Sequence, residues 1–182
     1  MEKLQPTDDA AFEQIMREYG TRVLRLVTFL VKDRNLAEDL TQDVFVKVYR
    51  HLPRFRKESS IHTWIYRIAV NECKGHLRSW AFRKILPSSW IKRDSDVSTE
   101  QIVMHQSERD ELVMQVQNLP SMYRQVIVLH YYADLSIAEV ANVLSVSEGT
   151  VRTRLHRARQ HLKKQLGEEG DWEWTRTSGS NN

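Results

Sequence analysis

Apolar residues recur at helical spacing along most of this chain, and the pattern predicts an all-α fold. The stripe Phe12, Ile15, Tyr19, Val23, Leu26, Val27 and Leu30 predicts a first helix from about Asp8 to Val31, with Gly20 tolerated inside it. Asn35 and Glu38 have cap-and-box spacing, so a second helix opens there and reaches about Leu52, just before Pro53. Its inner side is Ala37, Leu40, Val44, Val48 and Leu52. A basic loop, PRFRKESS, leads to a third helix from about Ser60 to Trp80, with Ile61, Ile65, Ile68 and Ala69 inward. No stripe persists from Arg83 to about Val103, where Pro87, paired serines and the acidic stretch DSDVSTE lie. That composition reads as an interdomain linker. The helical pattern resumes near His105, runs to about Asn118, and breaks at Leu119-Pro120. It returns from Ser121 to Tyr132 with Tyr123, Val126, Ile127 and Leu129 inward.

Two short helices follow. Ser136 and Glu139 form a capping-box pair ahead of Ile137, Val140, Ala141 and Leu144. After a break at Ser145-Val146, Ser147 caps a helix whose apolar residues are Val151, Leu155, Ala158 and Leu162. The opposite face presents Thr153, His156, Arg157 and Gln160, flanked by Arg152 and Arg154. Six cations, Arg152, Arg154, Arg157, Arg159, Lys163 and Lys164, stand against Glu148 alone. A capped helix, a tight turn and a basic second helix predict a helix-turn-helix that reads a DNA major groove. The plainer alternative is a solvated basic helix on an ordinary bundle. Beyond Gly167 the tail EEGDWEWTRTSGSNN reads as disordered, and no pattern gives Trp172 or Trp174 a role. The expected organisation is a domain over 8–82, a linker over 83–105, a second domain over 106–166 and a tail over 167–182.

Two outward faces carry more than solubility requires. On the second helix, Glu38, Asp39, Gln42, Asp43, Val46, Tyr49 and Arg50 fall together, so an acidic-polar face also exposes apolar groups. Such a mixture suits a protein partner as well as it suits a solvated face. On the third helix, Trp64, Arg67, Asn71, Lys74 and Arg78 line one edge. Cations for phosphates, an amide for a base edge and an aromatic for stacking suit single-stranded or melted DNA. Partial burial is the competing expectation for Trp64.

Composition narrows the classes. Net charge is only +3, so the basic character is local. Cys73 is the single cysteine, which excludes an intramolecular disulfide. His62 and Cys73 have no acid or histidine at metal-ligand spacing, so no metal is expected. Nor does a Gly-rich phosphate loop, a catalytic triad spacing or a paired-carboxylate pocket appear, so no catalytic residue or cofactor is expected. The amino terminus lacks the apolar core of a signal peptide, and the early apolar run at 23–31 contains Arg25 and is too short to span a bilayer. A cytoplasmic location is expected.

Four stretches now stand in order: AEDLTQDVFVKVYRHL (37–52), FRKESSIHTWIYRIAVNECKGHLR (55–78), LPSMYRQVIVLHYYADLSIAEVANVL (119–144) and SEGTVRTRLHRARQHLKK (147–164). Together they resemble the extracytoplasmic-function sigma factors, the short members of the sigma-70 family of bacterial RNA polymerase. The resemblance covers roughly Ala10–Arg83 and Ser107–Leu166 and implies two helical domains in a chain that is monomeric when free. It implies that Asp39, Gln42, Asp43 and Val46 dock on the clamp helices of the largest core subunit. The third-helix edge, Trp64, Arg67, Asn71, Lys74 and Arg78, would melt and read the −10 element, with Asn71 holding a flipped base. Arg152, Thr153, His156 and Arg157 would read the −35 element, and their domain would pack on the flap of the second-largest subunit. It further implies control by an anti-sigma factor, in the family often membrane-bound, that masks the polymerase-facing surfaces; the linker, which lets the two domains move independently, would let one such partner insert between them. The position of His156 varies in the family, and the Trp-containing tail lies outside its pattern. A stand-alone helix-turn-helix regulator is the rival reading, although it leaves the second-helix face and the Trp64–Arg78 edge without purpose. An enzyme with an accessory DNA-binding domain is a second rival, and it lacks any visible catalytic pattern.

Overall fold

The computed structural model describes residues 6–55, 59–85 and 108–166. Within them the chain is helical: α1 (Pro6–Val31), α2 (Arg34–His51), α3 (Ile61–Ile85), α4 (Glu108–Asn118), α5 (Ser121–Ile127), α6 (Ile137–Leu144) and α7 (Glu148–Leu166). A single 3-10 turn, Leu52–Arg54, follows α2, and a π turn, Val128–Tyr132, follows α5. Residues 86–107, which hold most of the expected linker, the tail (167–182) and 56–58 of the basic loop lie outside the described residues.

The first unit packs α1, α2 and α3 around the predicted stripes. Val23, Leu26, Val27, Ala37, Val44, Val48, Ile65 and Ala69 are fully buried. Phe45, Tyr66, Val70 and Cys73 join them, because α2 and α3 are each clasped on two sides. The α1–α2 corner is tighter than the sequence suggested. Lys32 turns left-handed (φ 64°) and caps α1 by donating its N–H to the Thr28 carbonyl at 2.9 Å. Asp33 is then extended, and its carboxylate accepts the Leu36 N–H at 2.9 Å. Asp33, not Asn35, is therefore the N-cap, since Asn35 already lies in the first turn. The third helix also overruns its expected end at Trp80 and extends to Ile85.

The second unit wraps α4, α5 and α6 around α7. Val151, Leu155, Ala158 and Leu162 are buried, as the stripe requires. The expected regular helix to Tyr132 instead widens into the π turn, where Ala133 donates to the Val128 carbonyl at 3.0 Å. Asp134, in the left-handed region (φ 55°), then turns the chain so that Leu135 is fully buried ahead of α6.

The two units touch. Phe29 of α1 meets Tyr132 (centroids 5.8 Å), α3 packs along α6, and the buried residues of both units form one continuous cluster. Among the described residues no helix is long and apolar enough to cross a membrane.

Candidate functional site

Three surfaces hold the residues singled out in the sequence. On α2, Asp39, Gln42 and Asp43 are exposed, and Val46 shows 46% of its surface among them. Tyr49 does not belong to this face. Its ring packs edge-on against Phe12 (5.0 Å) and its hydroxyl donates to Asp9 at 2.9 Å, because α1 runs alongside that end of α2. The apolar content of the face is thus Val46.

The α6–α7 corner is built by two local devices. The Ser136 hydroxyl accepts the Glu139 N–H, and the Glu139 carboxylate accepts the Ser136 N–H at 2.9 Å, a complete capping box. Ser145 adopts a left-handed conformation (φ 57°), and Val146 donates back to the Ala141 carbonyl at 3.0 Å. Ser147 then accepts the Thr150 N–H at 3.2 Å and starts α7. Buried residues lock one side of α7, leaving Arg152, Thr153, His156 and Arg157 exposed on the other. Arg152 pairs with Glu148 at 2.9 Å, and the Thr153 hydroxyl donates to the Gly149 carbonyl. Both contacts lie on the surface and cost little to exchange for a ligand.

The α3 edge is where sequence and structure diverge most. Asn71 and Arg78 are exposed. Trp64 is half-buried, its ring 4.9 Å from Phe55, so part of its face is already occupied. Arg67 and Lys74 are directed at α6: Arg67 donates to Asn142 at 3.2 Å, and Lys74 donates to the Leu144 carbonyl at 3.3 Å. One turn earlier, the Thr63 hydroxyl donates to Glu139 at 3.0 Å, Ser60 lies 3.4 Å from it, and His62 lies 3.3 Å from it. Burial raises the Glu139 carboxyl. Hydrogen bonds from the Ser136 N–H, the Ser136 hydroxyl and Thr63, with the His62 charge, outweigh that and hold it below its ordinary value. Desolvation, then the charges of Arg78 and Arg154, pull the Lys74 ammonium below its own.

Two residues outside the expected set organise this junction. Glu139 serves at once as capping-box acid and as acceptor for α3. Arg124, 6% exposed, donates to the carbonyls of Gln117 at 2.7 Å, Leu119 at 3.4 Å and Leu30 at 3.2 Å, tying α5 to the carboxy-terminal end of α1. A cation there also complements the α1 dipole. Its signal was present, since Arg124 shares the apolar face of Ile127 and Val128 at i+3 and i+4. Cys73 offers no chemistry: burial pushes its thiol up to about 12. Among the described residues no three His, Cys, Asp or Glu side chains gather as a metal site.

Residues 15–82 match the family model described as Sigma-70 region 2, and residues 109–162 match Sigma-70, region 4. The RNA polymerase sigma-H factor of Pseudomonas aeruginosa is 33% identical, over 91% of each chain. The ECF RNA polymerase sigma-E factor of Haemophilus influenzae is 34% identical, over 91% of this chain and 93% of its own. The chain belongs to the extracytoplasmic-function group of the sigma-70 family. Solved sigma factors share its fold. One is RpoE from Bartonella quintana, crystallised with the anti-sigma factor NepR (TM-score 0.71, 22% identity, 86% of this chain and 96% of that one). Another is CnrH, in complex with the cytosolic domain of CnrY (TM-score 0.64, 22% identity, 89% and 91%). In sigma-factor terms α1–α3 form region 2, α4–α7 form region 4, and the junction at Glu139 and Arg124 lies between the two regions.

Proposed function

We propose that this sigma factor docks on core RNA polymerase through Asp39, Gln42, Asp43 and Val46 and reads promoter DNA with two separate surfaces. The α7 face, Arg152, Thr153, His156 and Arg157, reads the −35 element in the major groove. The α3 edge, with Trp64, Arg67, Asn71, Lys74 and Arg78, reads and opens the −10 element. The first unit sits on the largest-subunit clamp and the second on the flap of the second-largest subunit. RNA synthesis belongs to the core enzyme, and no residue of this chain is assigned a catalytic role. An anti-sigma factor controls the free protein, as the complexes described for RpoE and CnrH suggest. The proposed place of action is the cytoplasm.

The observation that carries the reading is Val46, an exposed aliphatic side chain ringed by Asp39, Gln42 and Asp43 on a helix that otherwise buries its apolar residues. A regulator that binds duplex DNA by itself has no use for that face. The test is run-off transcription on a genomic promoter library, with and without core polymerase, beside a gel-shift of the isolated chain. Promoter-specific transcripts should require both proteins, and duplex binding by the isolated chain should be weak. Tight sequence-specific binding without core would favour the stand-alone regulator.

A further inference from the structure

The sequence of α3 carries the cations Arg67, Lys74, Arg78, Arg83 and Lys84 against a single acid, Glu72. That acid directly follows Asn71, so the one negative charge of the helix stands beside the residue assigned to a flipped base. Adjacent residues lie about 4 Å apart at Cα, well inside the ~8 Å over which physiological salt screens a charge. An unbalanced carboxylate there opposes an edge that must receive phosphates. The structure balances it from a different helix. The Lys47 ammonium of α2 donates to the Glu72 carboxylate, and the two form an ion pair.

Both partners sit on the rim of the α2–α3 contact. Val48 and Cys73, which follow them in the chain, are buried, whereas Val46 and Asn71, which precede them, are exposed. Only 19% of the Glu72 side chain is exposed, so its charge is largely withdrawn from water and acts on its surroundings with reduced screening. The Lys47 side chain is 46% exposed, and an ion pair with a half-exposed ammonium contributes little to holding two helices together. Helices α2 and α3 already pack through buried apolar side chains such as Val44, Val48, Ile65 and Ala69. A stabilising role therefore does not account for the pair.

We propose that Lys47 is a further residue of −10 recognition, which neutralises Glu72 and so keeps the Asn71 end of the α3 edge open to the melted strand. Lys47 acts through Glu72 and not by touching DNA. The inference rests on the assignment of the α3 edge to the −10 element. It deepens that assignment with a residue of α2 that lies outside both the docking set and the reading set.

The test is binding of holoenzyme, by fluorescence polarisation, to a promoter duplex mismatched across its −10 element and taken from a transcribed member of the promoter library. Lys47→Met leaves Glu72 unbalanced and should weaken binding about fivefold, a deficit that fades as salt is raised. Lys47→Arg should bind like wild type. Glu72→Gln frees the Lys47 charge and should tighten binding by a similar factor, and Lys47→Met with Glu72→Gln should return to wild-type affinity. A purely structural tie gives a different pattern, in which Glu72→Gln binds no more tightly and the Lys47→Met deficit ignores salt. Either result would overturn the proposal. So would a double variant as weak as Lys47→Met, which would make Lys47 itself a DNA contact. Co-purification of Lys47→Met with core should be unchanged, and its loss would move Lys47 into the docking face and overturn the proposal as well. Asn71→Ala keeps the two readings apart. Weakened binding there without a response to the charge variants overturns the role of Lys47 alone. A full charge response with Asn71→Ala silent supports that role and removes Asn71 from the reading edge.

Discussion

Arg124 shows how much one side chain can hold. Its guanidinium satisfies carbonyls of α1, α4 and the turn before α5, in a setting where burial lowers its pKa and Nε finds no partner. Replacing it with alanine would leave those carbonyls desolvated and cut the tie between the units. Arg124→Ala should therefore lose about 3 kcal/mol of stability in urea denaturation. Arg124→Lys should recover little of that, because an ammonium cannot donate to three carbonyls with a planar fork. Glu139 predicts a pH effect. Its carboxyl sits below the ordinary value of 4.5 in the folded chain, so its stabilising contribution is complete above that value. The contribution is lost as pH falls through the lower folded value. Glu139→Gln should be less stable near neutrality and show a shallower acid limb. Denaturation midpoints measured across that range check it, and parallel curves for both proteins would remove Glu139 from the account.

At the scale of elements, the α7 stripe was legible because four buried residues on one helix fix the opposite face by geometry alone. If Arg157 makes a bidentate base contact, Arg157→Ala should weaken −35 recognition by about 1–3 kcal/mol in holoenzyme binding. A loss that ignores DNA sequence and vanishes at high salt would reduce it to a phosphate contact. The α2 face was read less well. Its wheel placed Tyr49 beside Val46, but the path of α1 covers Tyr49 with Phe12 and Asp9, which no pattern within α2 could reveal. Asp39→Arg with Asp43→Arg should abolish co-purification with core while circular dichroism stays unchanged, since both residues are exposed and outside the core. Undiminished co-purification would remove this face from the proposed docking surface.

For the whole molecule, the amino-acid sequence by itself determined the all-α class, the two helical regions, the capping box at Ser136 and the buried stripes of α1, α2 and α7. These follow from local periodicity and from side chains that meet backbone groups within four residues. Four ordered motifs likewise sufficed to place the chain among the sigma factors, and the comparisons agree. The tertiary structure alone decided how the two regions meet. The composition of the linker carries no information about where one region lies against the other. Thr63–Glu139, Arg67–Asn142 and Arg124–Leu30 join residues 76, 75 and 94 positions apart. Contacts at such separations depend on the paths of all the intervening helices, and a pattern that repeats every turn carries no record of them. The same limit hid Tyr49 under α1 and let Asp33 take the cap from Asn35, where the outcome turned on how α1 ends and not on the motif that follows.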